Sequence, residues 1–354
     1  MTSAFKSLIS GAKKLALGDA DGNKTTALDL FTKTDPAVDG DECEHDCESC
    51  HVKYPRGFKI DESDDLYGHI KAWSTHALVA TGKSDWVRDV ADEKGSVMQA
   101  ISKAAAPSNG KLMLSASNIP TPTHSSDYSE PTTVLLLPAF VIIDHVTPKS
   151  VPELITEFVD KAPTNTSPLE PLALPTSVPI AATNGTEKGA LSIPPQISRR
   201  PCPHSALILL CSQKTRDARC GQSAPLLRKE IERHLRPLGL FRDMDDERPG
   251  GVGIYFISHV GGHKYSANVM VYRRPDAFGL DNVERVKEEE LKPKPKAALP
   301  ETEDVGAAQC IWLARIMPED CENLVRYTIL QGKVVKPETQ LRGGFDRSKG
   351  LMSW

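Results

Sequence analysis

No apolar run in this chain approaches the roughly 18–20 residues that a membrane-spanning helix needs. The longest, TVLLLPAFVII at 133–143, contains a proline and suits buried strand, so no membrane span is expected. Positive charge is not in excess either. Lys and Arg total 43 against 47 Asp and Glu, a formal net charge of −4, which provides no global field for nucleic acid. No secretory leader and no internal repeat are visible. Residues 1–18, MTSAFKSLISGAKKLALG, lack acid. Their lysines and weak helical period read somewhat like a mitochondrial presequence, but the usual arginines are missing. An intracellular chain keeps its thiols reduced. Its eight cysteines therefore need not form a disulfide framework, and metal binding or redox chemistry competes to explain some of them.

What is present is apolar content of 39% and 27 prolines at a mean hydropathy of −0.33, which implies globular parts separated by proline-rich stretches. Residues 1–40 read as a flexible polar tail. Residues 41–160 read as an α/β domain: helices in YGHIKAWSTHALVATG and DWVRDVADEKGSVMQAISKAA, strands in GKLMLSASN and TTVLLLPAFVIID, and a short helix in VPELITEFVDKA. Residues 161–200 are rich in Pro, Thr, Ser and Ala and read as a linker. Residues 201–354 form a second unit. HSALILLCSQ is a buried strand ending at Cys211. A helix follows, with Ser223 as its cap, Pro225 in its first turn and Gly239 as its stop. GVGIYFISH and HKYSANVMVYRR are β-type runs flanking Gly261–Gly262. Residues 275–305 read as a charged insertion, AAQCIWLARI as a last strand and PEDCENLVRYTILQG as a last helix.

Four soft or borderline ligands stand out in this second unit: Cys211, Cys220, His259 and His263. Cys211 ends a strand and Cys220 begins a helix. His259 ends a strand and His263 begins its partner, with two glycines allowing a sharp reversal between them. Two loops at one end of a sheet can then converge, where α/β sheets usually place function. Zinc would take all four ligands tetrahedrally. A [2Fe–2S] cluster would take thiolates on one iron and imidazoles on the other, which raises its reduction potential. Lys214, Arg216 and Arg219 add positive charge beside the thiols. Tyr265 and Asn268 are adjacent polar groups that could support the ligands. Cys202, Cys310 and Cys321 read as inert core residues, and His69, His76, His204 and His234 as ordinary histidines.

The segments LLCSQKTRDARCG, FISHVGGHKYSANVMVY and WLARIMPEDCENLV resemble the sucrase/ferredoxin-like family of thioredoxin-like ferredoxins. Specifically, they resemble the fungal branch that includes the altered-inheritance-of-mitochondria and actin-patch-distribution proteins. The likeness is strong over about residues 201–335 and weaker in DCESCHVKYPRGFKIDESDDLYGHIKAW. It implies two thioredoxin-like α/β domains, the C-terminal one a thioredoxin-like ferredoxin domain. It also implies a non-Rieske [2Fe–2S] cluster held by Cys211, Cys220, His259 and His263. Such a protein is an electron carrier rather than an enzyme, serving an unidentified redox partner protein. No pair of carboxylates suited to glycoside hydrolysis is recognisable. The final LMSW resembles a tail that docks on the cytosolic iron–sulfur targeting complex, with Trp354 filling an apolar pocket. That favours the cytoplasm, with the mitochondrion as the alternative.

CEHDCESCH carries Cys43, Cys47 and Cys50 among acidic residues. Cys47 and Cys50 form a Cys-x-x-Cys pair, suited to a dithiol redox centre, a zinc half-site or part of a second metal site. Neighbouring acid opposes thiolate formation and favours a bound cation. The expected function is thus proton-coupled, one-electron transfer at a two-Cys, two-His cluster. The alternatives are a zinc-stabilised binding module or a Cys-x-x-Cys thiol oxidoreductase.

Overall fold

The computed structural model describes residues 25–180, 196–281, 292–295 and 303–354. Within them the same βαβ–ββα unit occurs twice. In the first, β1 (Thr75–Ala80) leads through α1 (Val97–Lys103) to the parallel β2 (Leu112–Ser117). The antiparallel β3 (Thr132–Leu137) and β4 (Val141–Val146) follow, then α2 (Val151–Glu153), which continues as a π-helix over Leu154–Val159. In the second, β7 (Ala206–Cys211), α3 (Ala218–Leu235) and β9 (Val252–Ile257) precede β10 (Val269–Arg273) and β11 (Gln309–Leu313). Then comes α4 (Cys321–Asn323), continued as a π-helix over Leu324–Ile329. The strand orders are β2-β1-β3-β4 and β9-β7-β10-β11, the same thioredoxin-like arrangement.

The two units share one sheet. Their equivalent edge strands, β2 and β9, meet antiparallel at Ser117 and Ile257. Beyond β4 lie β6 (Gln196–Pro201) and β5 (Ser177–Pro179), and beyond β11 lie β12 (Leu341–Asp346) and β13 (Leu351–Met352). The short β8 (Phe241–Arg242) pairs with β9.

Alternation along the strands builds three cores. Ile208, Leu210, Ile254, Val269 and Val271 face α3 and α4. Ala77, Val79, Val134 and Leu136 face α1 and α2. The intervening residues of both units, including Leu78, Leu135, Leu207, Leu209, Tyr255, Met270, Tyr272 and Trp312, form one shared central cluster. The sheet therefore curls around this shared cluster, with a helix layer outside each half. His76 of β1 reaches Tyr272 of β10 (3.1 Å) and Ser115 (2.9 Å) inside this core.

Several sequence expectations change. Residues 67–74 are irregular and 75–80 are strand, because the apolar run THALVA is buried on both faces rather than one. TTVLLLPAFVIID is a hairpin, turned at Pro138–Phe140, not one strand. Asp217, not Ser223, caps α3, so Pro225 lies within that helix. Residues 263–265 form a 3-10 turn before β10 begins at Val269. Where it is described, the 161–200 segment supplies β5 and β6 instead of a free linker. Residues 1–24 of the expected tail lie outside the described residues. Leu30 and Phe31 are buried in the core of the C-terminal unit. Residues 25–73 strap that unit: Tyr54 donates to Ile316 O and the Gly68 N–H to Arg342 O. At the start of the expected charged insertion, Ala277, Phe278 and Leu280 are core residues. Most of 282–302 lies outside the described residues.

Complete burial holds His76 neutral, with its pKa pushed down from 6.5 to about 3. Burial likewise lowers His204 to about 4. The unfolded chain takes up these protons below pH 6.5 and the folded chain refuses them. Each therefore removes stability as pH falls, at up to about 1.4 kcal/mol per pH unit. The urea midpoint should fall between pH 7 and pH 5. His76→Gln, which keeps a donor and an acceptor, should flatten that fall by one proton's share. An unchanged slope in His76→Gln would refute the assignment.

Candidate metal centre

Cys211 is the last residue of β7, and Cys220 lies in the first turn of α3. His259 follows β9 by two residues, and His263 opens the 3-10 turn. Because β7 and β9 are parallel, their C-terminal ends open on the same side. The Cys211 and Cys220 sulfurs and a His259 nitrogen all lie within 4.8 Å of one another. The His259 and His263 rings are 5.2 Å apart, centre to centre. The structure thus brings together the four predicted ligands, with His263 the outlying member. Both thiols are buried and both imidazoles half-buried.

The two thiols ionise unequally. Cys220 is held low by a hydrogen bond from Cys211, aided by His259 and Ser266. Cys211, fully buried and donating to Cys220, is pushed well up. Such a pair releases its protons in two steps, and a bound metal would draw off the second. Burial, then the neighbouring His259 ring, lowers the His263 pKa, which favours the neutral, ligating form. Nδ1 of each histidine is buried without a hydrogen-bond partner. Orphaned buried nitrogens beside paired thiols are what a metal-binding pocket leaves when its protein groups alone are counted. The donor set therefore fits a metal centre.

Gly261 and Gly262 make the turn between the histidines. Gly262 has φ of +68°, and a Cβ there would lie 2.6 Å from the Arg342 guanidinium. The turn is held from below. Asn268 donates to Gly262 O (3.2 Å), and its Oδ1 accepts from Trp312 Nε1 (3.2 Å) and Arg342 Nη1 (2.7 Å). Arg342 also donates to Gly261 O and lies over the Trp312 ring. Asn268 therefore supports the site as expected. Tyr265 turns away to Asp64.

Sequence reasoning missed three supporting residues. Gln213 accepts from the His259 N–H (2.8 Å) and donates to Val87 O of the first unit. Ser266 lies 3.8 Å from Cys220 Sγ. Arg342 stands on β12, far along the chain, and nothing in its local pattern marks it. Arg219 is drawn off to Asp217 (2.8 Å). Arg216 joins Lys71, Lys111, Arg342, His259 and Trp73 around a cleft of about 440 Å³.

Trp354 stacks on Trp73, with ring centres 4.2 Å apart. The N-terminal cysteines do not share one environment. Cys43 is buried beside Thr34 and Asp39, and burial raises its pKa. Cys47 and Cys50 form a turn closed by a 3.2 Å backbone bond. Burial, with Glu230 nearby, pushes the Cys50 thiol up to about 11, opposite to an activated redox thiol. His234, expected to be ordinary, lies 3.9 Å from Cys47 Sγ. Cys202, Cys310 and Cys321 are buried core thiols. Among the described residues, no helix is long and apolar enough to cross a membrane.

Asn268→Ala would leave a buried indole N–H and a buried guanidinium without their acceptor. A loss of about 1–3 kcal/mol of stability is expected, read as a lower urea midpoint with weaker metal retention. An unchanged midpoint would show that Asn268 does not hold the turn.

Comparison with known proteins identifies the family. The sucrase/ferredoxin-like profile matches residues 66–343, more than half of the chain. Actin patches distal protein 1 of Saccharomyces cerevisiae is 29% identical over 258 residues, covering 68% of this chain and 75% of that protein. Altered inheritance of mitochondria protein 32 of Clavispora lusitaniae is 30% identical over 158 residues, 45% of this chain and 42% of its own length. The protein of that name from Debaryomyces hansenii is 29% identical over 130 residues, 37% and 33% of the two chains. No solved structure matches significantly. The chain belongs to the sucrase/ferredoxin-like family.

Proposed function

We propose that this protein is an electron carrier holding a [2Fe–2S] cluster through Cys211, Cys220, His259 and His263. The observation that carries the reading is the convergence of two thiols and two imidazoles from the ends of parallel strands, with both Nδ1 atoms orphaned. The cluster, when bound, supplies reversible one-electron chemistry.

Each residue has a distinct part. Cys211 and Cys220 would hold one iron as thiolates. Their unequal pKa values mean that loading releases a proton chiefly from Cys211. His259 and His263 would hold the other iron as neutral rings. Three of the four donors group within 4.8 Å while His263 stands further out. That spread suits two metal atoms better than one tetrahedral zinc, whose ligands all sit within about 4 Å of one another. Asn268, Gln213 and Arg342 fix the loops. His263, half-exposed, can exchange a proton with water as the iron changes charge.

The cleft beside His259 carries Lys71, Lys111, Arg216 and Arg342, which favours a redox partner with an acidic surface. Docking of Trp354 on a targeting complex would require its release from Trp73. The compartment would be the cytoplasm, with the mitochondrion as the alternative.

The test is a visible absorption spectrum of the anaerobically purified protein, repeated on His259→Cys and His263→Cys. A red-brown protein whose sulfur-to-iron bands shift in both variants is expected. A colourless protein carrying zinc without iron, despite co-expression with iron–sulfur assembly factors, would overturn the reading in favour of a structural zinc module. For the red-brown protein, the reduction potential should fall as pH rises through the histidine range, because the reduced form binds the proton more tightly. A potential that stays flat from neutral to alkaline pH would remove the proton coupling.

A further inference from the structure

A second group of ligand atoms lies at the far end of α3. Cys47 Sγ, a nitrogen of His234 and a carboxylate oxygen of Glu322 are all within 4.8 Å of one another. They come from three separate segments: the strap over residues 25–73, the last turn of α3, and α4. Cys47 is 8% exposed. Its sulfur is 3.9 Å from His234 Nε2. Tetrahedral zinc, with bonds of about 2.3 Å to sulfur and 2.0 Å to nitrogen, sets that separation at about 3.5 Å. Little closure is needed.

Cys50 Sγ stands outside that group and donates to Val52 O (3.5 Å), so it must turn inward to become a fourth donor. It is one Cys-x-x-Cys step from Cys47, and its N–H bonds Cys47 O. It also faces Glu230, whose Oε1 is 3.6 Å from His234 Nε2. A cation already occupies the middle of this group. The Arg233 guanidinium lies 3.3 Å from Cys47 Sγ, 3.0 Å from His234 Nε2 and against Glu230. Its side chain is 41% exposed, so it can swing out to water when a smaller, doubly charged ion enters.

We propose that Cys47, Cys50, His234 and Glu322 form a zinc site that clamps the N-terminal strap to α3 and α4. Binding converts both thiols to thiolates, and the two protons go to solvent. No oxidant is involved. Two thiolates and one carboxylate around Zn²⁺ leave one negative charge, which the displaced Arg233 still neutralises nearby. Cys43 takes no part, since it faces Thr34 and Asp39. The site is separate from the Cys211–His263 centre. Cys220 and His234 sit in the first and last turns of α3, roughly 20 Å apart at about 1.5 Å per residue.

The experiment counts zinc and iron per chain in the full-length protein by elemental analysis, in the wild type, Cys47→Ser, His234→Ala and Cys220→Ser. Roughly one zinc per chain is expected. It should be lost in the first two variants and kept in Cys220→Ser, which instead loses iron. Zinc that persists in Cys47→Ser and disappears in Cys220→Ser would overturn this site and the electron-carrier reading together. Iron without zinc in the wild type would overturn this site alone.

Alkylation of the wild type keeps the proposal testable if a variant fails to fold. Cys47 and Cys50 should resist a thiol reagent until a chelator is added. Thiols labelled equally fast with and without chelator would refute the site. So would a Cys47–Cys50 disulfide found by mass spectrometry in protein purified under reducing conditions.

Discussion

The central core shared by the two units is the constraint on which the rest depends. Leu78, Leu135, Leu207, Leu209, Met270, Tyr272 and Trp312 face one another across it, while their sequence neighbours face helices. Strands buried on both sides tolerate neither register slip nor a polar residue without a partner. The C-terminal ends of β7 and β9 are therefore fixed to within the packing of the core, and with them Cys211 and His259. Trp312 links the two levels directly. Its ring belongs to the core, and its N–H meets Asn268, which holds the turn between the histidines. Precision in the ligand set is thus supplied from beneath by packing, as a rigid metal centre requires.

The repeated unit shows why one half of the chain carries the candidate ligands and the other does not. Cys211 and Ala80 each end the first strand of their unit. Cys220 and Gln99 each stand third in the first helix, and His259 and Ile119 each follow the second strand by two residues. The first unit therefore has no donors at the matching positions. Its corresponding loop serves as a buttress instead. Ser84 O accepts from Ser212, Asp85 from Thr215, and Val87 O from Gln213. The antiparallel contact of β2 with β9 turns the first loop toward the second, so one copy of the fold supports the site that the other copy carries.

The candidate ligands stand out in the sequence because their chemistry is rare and local. A Gly-Gly between histidines and a thiol at each end of a strand-to-helix loop mark themselves. The β7–α3–β9 order was legible for a related reason, since apolar runs and helix periodicity lie in continuous segments. What could not be read depends on residues far apart in the chain. The internal repeat is carried by backbone topology, while the side chains at matching positions differ. Residues 67–74 carry a mixed apolar spacing that suggests a helix, yet Gly68 is spent on a backbone bond to Arg342 and Trp73 on the central core. Arg342 itself carries no local mark. The strap over residues 25–73 looks polar because most of its surface is exposed, and only Leu30, Phe31, Leu66 and a few others reveal where it docks.

Electrostatics gives the two ends of α3 opposite characters. At its first turn, buried Cys220 is held as the more acidic thiol by donors from Cys211, His259 and Ser266, and the adjoining cleft is lined by Lys71, Lys111, Arg216 and Arg342. At its last turn, Glu230, Glu322 and Cys47 gather around the Arg233 head group and His234. A helix presents partial positive charge at its start and partial negative charge at its end. The anionic thiol pair thus lies where the helix favours negative charge, and the carboxylate-rich group lies where it favours a cation. Negative charge at the first end faces the neighbouring lysines and arginines of the cleft. A cation at the second end fastens the strap whose far end, at Trp73, lines the same cleft. The helix joins a centre suited to changes of charge to one suited to holding charge fixed.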